Sequence, residues 1–112
     1  MGQTYEIDQE RLYKLFKRIV DDKFSELTYR DKPWWQTHED DVEWVNSEGT
    51  PFIRYNDYSF EVDRKYYWSF MNMMPISYKI TNELFTRYFK ERFPDKSFIS
   101  VEDSNLFTEL GV

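Results

Sequence analysis

The stretch from Val42 to Val62, VEWVNSEGTPFIRYNDYSFEV, is punctuated as short strands joined by tight turns. Tyr58, Phe60 and Val62 alternate with Ser59, Glu61 and Asp63, the period-two pattern of a strand with one apolar face and one wet, acidic face. Val42 and Trp44 share one face of an earlier strand, and Phe52 to Tyr55, preceded by Pro51, form the middle one. Asn46-Ser47-Glu48-Gly49 supplies the first turn, where Gly49 can take a positive φ. Asn56-Asp57 suits the second. The expectation is a three-stranded antiparallel meander whose apolar face (Trp44, Tyr58, Phe60, Val62) is half of a core. Such a sheet has open edges, which leaves self-association open, and Glu43 is the charge expected to guard one of them.

Helical patterns flank this stretch. Asp8 is placed as an N-cap, with Ile7 and Leu12 at the spacing of a hydrophobic staple. Leu12, Leu15, Phe16, Ile19, Val20, Phe24 and Leu27 then recur at threes and fours. The helix either stops at Asp21-Asp22 or continues to Leu27, and Pro33 disfavours helix at Lys32. After the sheet, Asp63 is placed to cap a helix from Arg64 to about Met73, closed by Pro75; a fourth strand through Tyr66–Met71 is the alternative. Met71, Met73 and Met74 read as core filler. A third helix is expected from a Thr81 cap, with Leu84, Phe85, Tyr88, Phe89 and Phe93 as its stripe and Pro94 as its stop. Phe98, Ile99 and Val101 suggest an added edge strand, and Ser104 a last short turn ending at Gly111.

The fold class is therefore α+β: an N-terminal helix, a three-stranded antiparallel β-meander, then two C-terminal helices packed on one sheet face. With 112 residues the chain is one domain, 1–112, with an irregular acidic link at 31–41 and a C-terminal extension at 94–112. Aromatics are 21% of it, enough to build a core despite the many charges.

The net charge of −6 is unevenly placed. Residues 36–63 carry eight acids against the single base Arg54, whereas the segments on either side are close to balanced. An acidic surface repels phosphate backbones, so direct nucleic-acid binding is not expected. There is no cysteine, which removes disulfides, thiolate metal sites and thiol nucleophiles. The first residues show no basic-then-apolar leader, and Glu6 stands where an N-myristoylation motif needs Ser or Thr. No apolar run reaches the roughly 18 residues of a membrane span. A cytoplasmic protein is expected, with no membrane partner.

No motif for chemistry stands out. His38-Glu39-Asp40-Asp41 offers hard ligands, but it lacks the second histidine of the helical zinc motif and the spacing of a calcium loop. A solvated acidic loop is expected there, with weak magnesium or calcium binding as the sharper alternative. Glu43 and Glu61 could share a sheet face as a glycosidase's carboxylates do, but nothing in the sequence implies a cleft around them. No catalytic residue, cofactor site or metal site is assigned. An aromatic platform of Phe52, Tyr55, Tyr58 and Phe60 for stacking bases is disfavoured by the acids around it.

Taken in order, the capped helix, the acidic link, the strands ending in DYSFEVD, then YYWSFMNMM and ITNELFTRYFKERF resemble small uncharacterised proteins of large tailed phages. The resemblance spans about residues 7–93 and rests mainly on the Trp68 segment and the Thr81-led helix. It implies a phage origin, with the host cytoplasm or the virion as location, and it transfers no functional residue.

Binding is the remaining expectation. The candidate partner-binding residues are Trp34, Trp35, Glu39, Asp40, Asp41, Glu43, Glu61 and Asp63. Either one Trp of the pair plugs the core and the other lies over the helix, or Trp34 or Trp35 is an exposed anchor in an interface, where Trp is enriched. The expected partner is a protein with a basic or mixed surface. The alternative is a nucleic-acid mimic, with strand carboxylates imitating phosphates toward a DNA- or RNA-binding host protein.

Overall fold

The computed structural model describes residues 9–74 and 76–106. The Asp8 cap with its Ile7 staple, Pro75 as a helix stop, and the turn to Gly111 lie outside the described residues.

Helix α1 (Gln9–Ser25) runs through Asp21-Asp22 and buries Tyr13, Phe16, Val20 and Phe24. Phe16 anchors that arc, 4.8 Å from the rings of both Phe70 and Phe85. With the arc centred on Phe16, Leu15 falls on the helix shoulder and is exposed rather than part of the core. Tyr13 takes its place.

The sheet has five strands, not three. Strands β1 (Thr28–Arg30), β2 (Val42–Val45), β3 (Pro51–Asn56) and β4 (Ser59–Asp63) run antiparallel in chain order, and β5 (Ser100–Ser104) lies parallel to β4. The two added strands are the edges. β1 makes Glu43 internal, so that residue guards no edge. Parallel pairing of β4 with β5 requires a long crossover, supplied by α2 (Arg64–Met73) and α3 (Tyr78–Arg92). The stretch after Phe93 thus contributes a strand to the sheet. Among the described residues no helix is long and apolar enough to cross a membrane.

Asp63 caps α2 by accepting the Tyr66 N–H, which realises the helical reading of 64–73. Only Met71 and Met74 of that region's methionines pack against the core; Met73 is exposed. Helix α3 starts earlier than expected, because Ser77 rather than Thr81 is its cap, the Ser77 hydroxyl oxygen accepting the Ile80 N–H. Thr81 is buried one turn in, its hydroxyl donating to the Ser77 carbonyl.

The second hairpin turn also differs. Asp57 and Tyr58 hold positive φ values of 52° and 60°, so the turn is Asp57-Tyr58 rather than Asn56-Asp57. This register sets Arg54 opposite Glu61, Tyr55 opposite Phe60 and Ile53 opposite Val62. A cross-strand ion pair and two apolar pairs outweigh the preference of the turn residues. Tyr58 consequently leaves the apolar face and is exposed. In β3 the register skips Phe52, a bulge that re-aims its ring toward the helices, where it meets Tyr66 and the Lys23 ammonium.

All three described helices cover the sheet face bearing Trp44, Ile53, Phe60, Val62 and Val101. Phe60 stacks on Phe89 at 4.2 Å and 5°, and Phe24 of α1 meets Trp44 edge-on at 5.7 Å. Each such ring contributes on the order of 2 kcal/mol through burial. Phe52, Tyr55 and Phe60 are committed to this packing and form no platform for bases.

Candidate functional site

Among the described residues no helix lies over the other sheet face, and strand alternation places its side chains. Arg30, Glu43, Arg54, Glu61 and Glu102 fall in register across the five strands. Arg30 Nη1 donates to Glu43 Oε2 at 3.2 Å, and Arg54 Nη2 to Glu61 Oε1 at 3.1 Å. Opposite charges on adjacent strands are the favourable arrangement. Glu43 and Glu61 on this face are therefore not free carboxylates, since arginines match them, whereas Glu102 on the edge strand is exposed beside Glu61.

The link between β1 and β2 folds back over this ladder. Pro33 is buried, and its carbonyl accepts the Gln36 N–H to close a turn that presents Trp34 and Trp35 in different directions. Trp35 lies over Arg54, its ring centroid 4.6 Å from the guanidinium carbon. Its indole N–H donates to Glu43 Oε1 at 2.9 Å. Trp34 points outward and is 75% exposed. Neither tryptophan enters the helix-side core.

Two polar side chains brace the link from within. The Gln36 amide lies within reach of the carbonyls of Asp31, Glu39 and Asp41, at 3.2, 3.3 and 3.0 Å. Asp41 is buried, and its Oδ2 accepts from the N–H groups of Thr37 and His38 and from the Thr37 hydroxyl. Burial alone would raise the Asp41 pKa. The donors from Thr37 and His38, with the Asp57 amide, outweigh it and hold the carboxyl below its ordinary value.

The candidate residues therefore divide. Trp34, Glu39 and Asp40 are exposed on the link. Trp35, Asp41 and Glu43 form the brace beneath them, and Glu61 is half-buried against Arg54. Asp63, expected on the wet face, is buried at the start of α2. The expectation that Glu43, Glu61 and Asp63 lie free on an open face is thus corrected: arginines, an indole and a helix end occupy them.

Arg54 is the residue that sequence reasoning passed over. It touches Trp35 and Glu61 and sits opposite Glu43. Its signal was visible as the lone base among the eight acids of residues 36–63. Asp103 was also missed. It accepts from Trp68 Nε1 and Tyr78 Oη at 3.0 Å each and from Arg64 Nε at 3.2 Å, tying β5 to the first turns of α2 and α3.

Glu43 and Glu61 are not set as a pair of catalytic carboxylates. Arg54 stands between Glu43 and Glu61 in the register, so the two carboxylates do not face one another across a gap. The hollow beside His38, Asp40, Asp41, Tyr55, Asp57 and Tyr58 holds only about 80 Å³, room for a few waters. Among the described residues no three His, Asp or Glu side chains converge as a metal site requires. Comparison with protein-family models, with curated proteins and with solved structures finds no match to this chain.

Proposed function

We propose that this chain is a small non-enzymatic protein-binding module that works through its 31–41 link. The observation that carries this reading is Trp34, 75% exposed on a link whose backbone is held by Gln36, Asp41 and Trp35. A rigidly presented tryptophan is a typical interface anchor, and bracing lowers the entropy lost on binding. Asp31, Glu39 and Asp40 on the same link favour a partner with a basic or mixed surface. A phage accessory or virion-associated role is the setting that the sequence resemblance implies.

The nucleic-acid mimic is less favoured. Glu43 and Glu61 are matched by Arg30 and Arg54, leaving few carboxylates to imitate phosphates. The test uses the wild-type chain and a Trp34→Ala, Asp40→Lys variant as paired baits in a host extract. Trp34 and Asp40 are both exposed, so the variant should fold normally. Loss of a specific captured protein in the variant supports the reading. Identical capture by both baits, or capture displaced by DNA alone, counts against it.

A further inference from the structure

The charge asymmetry seen along the sequence becomes a spatial one in the fold. The three helices carry eleven of the fifteen Lys and Arg residues but only five of the twenty-one acids. The strands and the link hold most of the rest of the acids. A chain of net charge −6 therefore presents a basic helical layer on one side and acidic segments on the other.

Within the helical layer, α1 has the more distinctive surface. Arg11, Lys14 and Arg18 lie opposite the arc centred on Phe16, and Lys17 lies on the flank toward α3. Among the described residues none of these four has an ion-pair partner, unlike Arg87 and Arg92 of α3, which pair with Glu10 and Asp21. Leu15 sits beside them, 45% exposed. Asp22 is the acid that closes this face at its C-terminal end. An apolar side chain rimmed by cations that make no direct ion pair, with Glu10 near Lys14 and Glu91 near Lys17 on the side toward α3, is the counterpart of Trp34 with Asp31, Glu39 and Asp40.

We propose that the outer face of α1 receives the link of a second copy of this chain, Trp34 packing against Leu15 while Glu39 and Asp40 meet Arg11, Lys14 and Arg18. This rests on the link being the contact surface, and it names a partner for it. Both surfaces belong to one chain but differ from each other, so the contact is heterologous and joins copies head to tail. The attraction between exposed charges is screened within about 10 Å at 0.1 M salt, so association is weak and salt-sensitive.

Light scattering and sedimentation of the full chain at rising concentration test the proposal. At low salt the mass should climb above the monomer's 13.9 kDa, and it should return to that value in about 0.5 M salt, where screening is shorter. Two variants carry the decision: Arg11→Glu, Arg18→Glu on the helix, and Glu39→Lys, Asp40→Lys on the link. Each alone should remain monomeric at low salt, with a helical spectrum like that of the wild type. An equimolar mixture should associate again, because the reversed helix of one matches the reversed link of the other. Leu15→Gln should weaken wild-type association without altering any charge.

A wild-type chain that stays monomeric at every concentration overturns the proposal, and so does association unaffected by the helix variant. A monomeric wild type with Trp34-dependent capture of another protein overturns the self-pairing alone. Association lost in the helix variant but intact in both the link variant and Trp34→Ala overturns the link reading as well.

Discussion

Trp35 covers Arg54, and the same indole donates its N–H to Glu43 on the neighbouring strand. One side chain thus shields both members of an opposed pair in the middle of the sheet. A hydrogen bond to a charged group is worth about 1.5–3 kcal/mol, and a shielded cation–π contact about 1–2 kcal/mol. Trp35→Phe keeps a ring over Arg54 but removes the donor, and should lower unfolding free energy by about 1.5 kcal/mol. Glu43→Lys places a cation between Arg30 and Arg54 in a buried position. It should destabilise by on the order of 3–5 kcal/mol, a large part of a small domain's stability. Glu61→Lys, at a half-buried site, should cost less. Urea titration of the three variants checks the order; equal small losses at Glu43 and Glu61 would mean that Glu43 is not shielded.

Asp41 gives the link an acid sensitivity. Its ordinary pKa of 3.8 is lowered in the folded state by donors from Thr37 and His38, against the opposing effect of burial. A lowered carboxylate stabilises the fold above the unfolded value and loses that contribution as pH falls through the folded value. Stability should therefore decline as pH falls below the ordinary carboxylate value of 3.8, and Asp41→Asn should flatten part of that decline. The asparagine can still offer an oxygen to the same donors, so its loss at neutral pH should be about 1 kcal/mol. Thermal melts across this pH range compare the two slopes, and parallel curves would show that Asp41 does not drive the acid limb.

Local pattern made the elements with strong periodicity legible. The α1 stripe, the alternation of Phe60 and Val62, and the Asp63 cap all report short-range physics, and each is present in the structure. β1 was not legible because its three residues are all exposed and owe their strand geometry to pairing with β2. β5 was legible as an added edge strand from the Phe98, Ile99 and Val101 run, but its bounds at Ser100–Ser104 and its parallel pairing with a strand some forty positions earlier are what no local window reports. The candidate site was half legible for a related reason. Composition marked 36–63 as acidic, but whether a carboxylate is free depends on cross-strand register. Glu43 was read as wet because it alternates with apolar neighbours, and it is buried because Trp35 folds back from eight residues away.

Tyr58 carries the cost of that register. Its φ of 60° lies in the left-handed region, where a side chain costs about 1–2 kcal/mol, and its ring is exposed. The tyrosine carbonyl accepts the Ile99 N–H, a bond that any residue at this position can keep. Tyr58→Gly relieves the strain and creates the Asp-Gly pair that two-residue hairpins favour. It should raise stability by about 1 kcal/mol and the melting temperature by about 4 °C. Tyr58→Val, branched at Cβ, should lower both. Calorimetry on the pair decides it, and a glycine variant less stable than wild type would mean that the ring contributes more than the backbone strain removes.

Two tyrosines facing α1 should respond oppositely to loss of the hydroxyl. Tyr88 Oη donates to Asp21 Oδ1 at 2.5 Å and accepts from Arg92 at 3.0 Å, whereas the Tyr66 hydroxyl is buried with no partner among the described residues. Tyr88→Phe should cost about 1–1.5 kcal/mol, and Tyr66→Phe should be neutral or stabilising by up to about 1 kcal/mol, because an orphaned polar group no longer has to leave water. Both phenols are pushed above the ordinary tyrosine value of 10.0, Tyr66 mainly by burial and Tyr88 by burial and then Asp21. A raised folded pKa gives stability that is complete below the unfolded value and lost as pH climbs past it. Alkaline unfolding should therefore set in above about pH 10, and Tyr66→Phe should move it upward by removing one of the groups that must ionise. Chemical denaturation at neutral pH, followed by an alkaline titration monitored by circular dichroism, separates the two effects. A Tyr66→Phe variant as destabilised as Tyr88→Phe would require that the Tyr66 hydroxyl has a bonding partner after all.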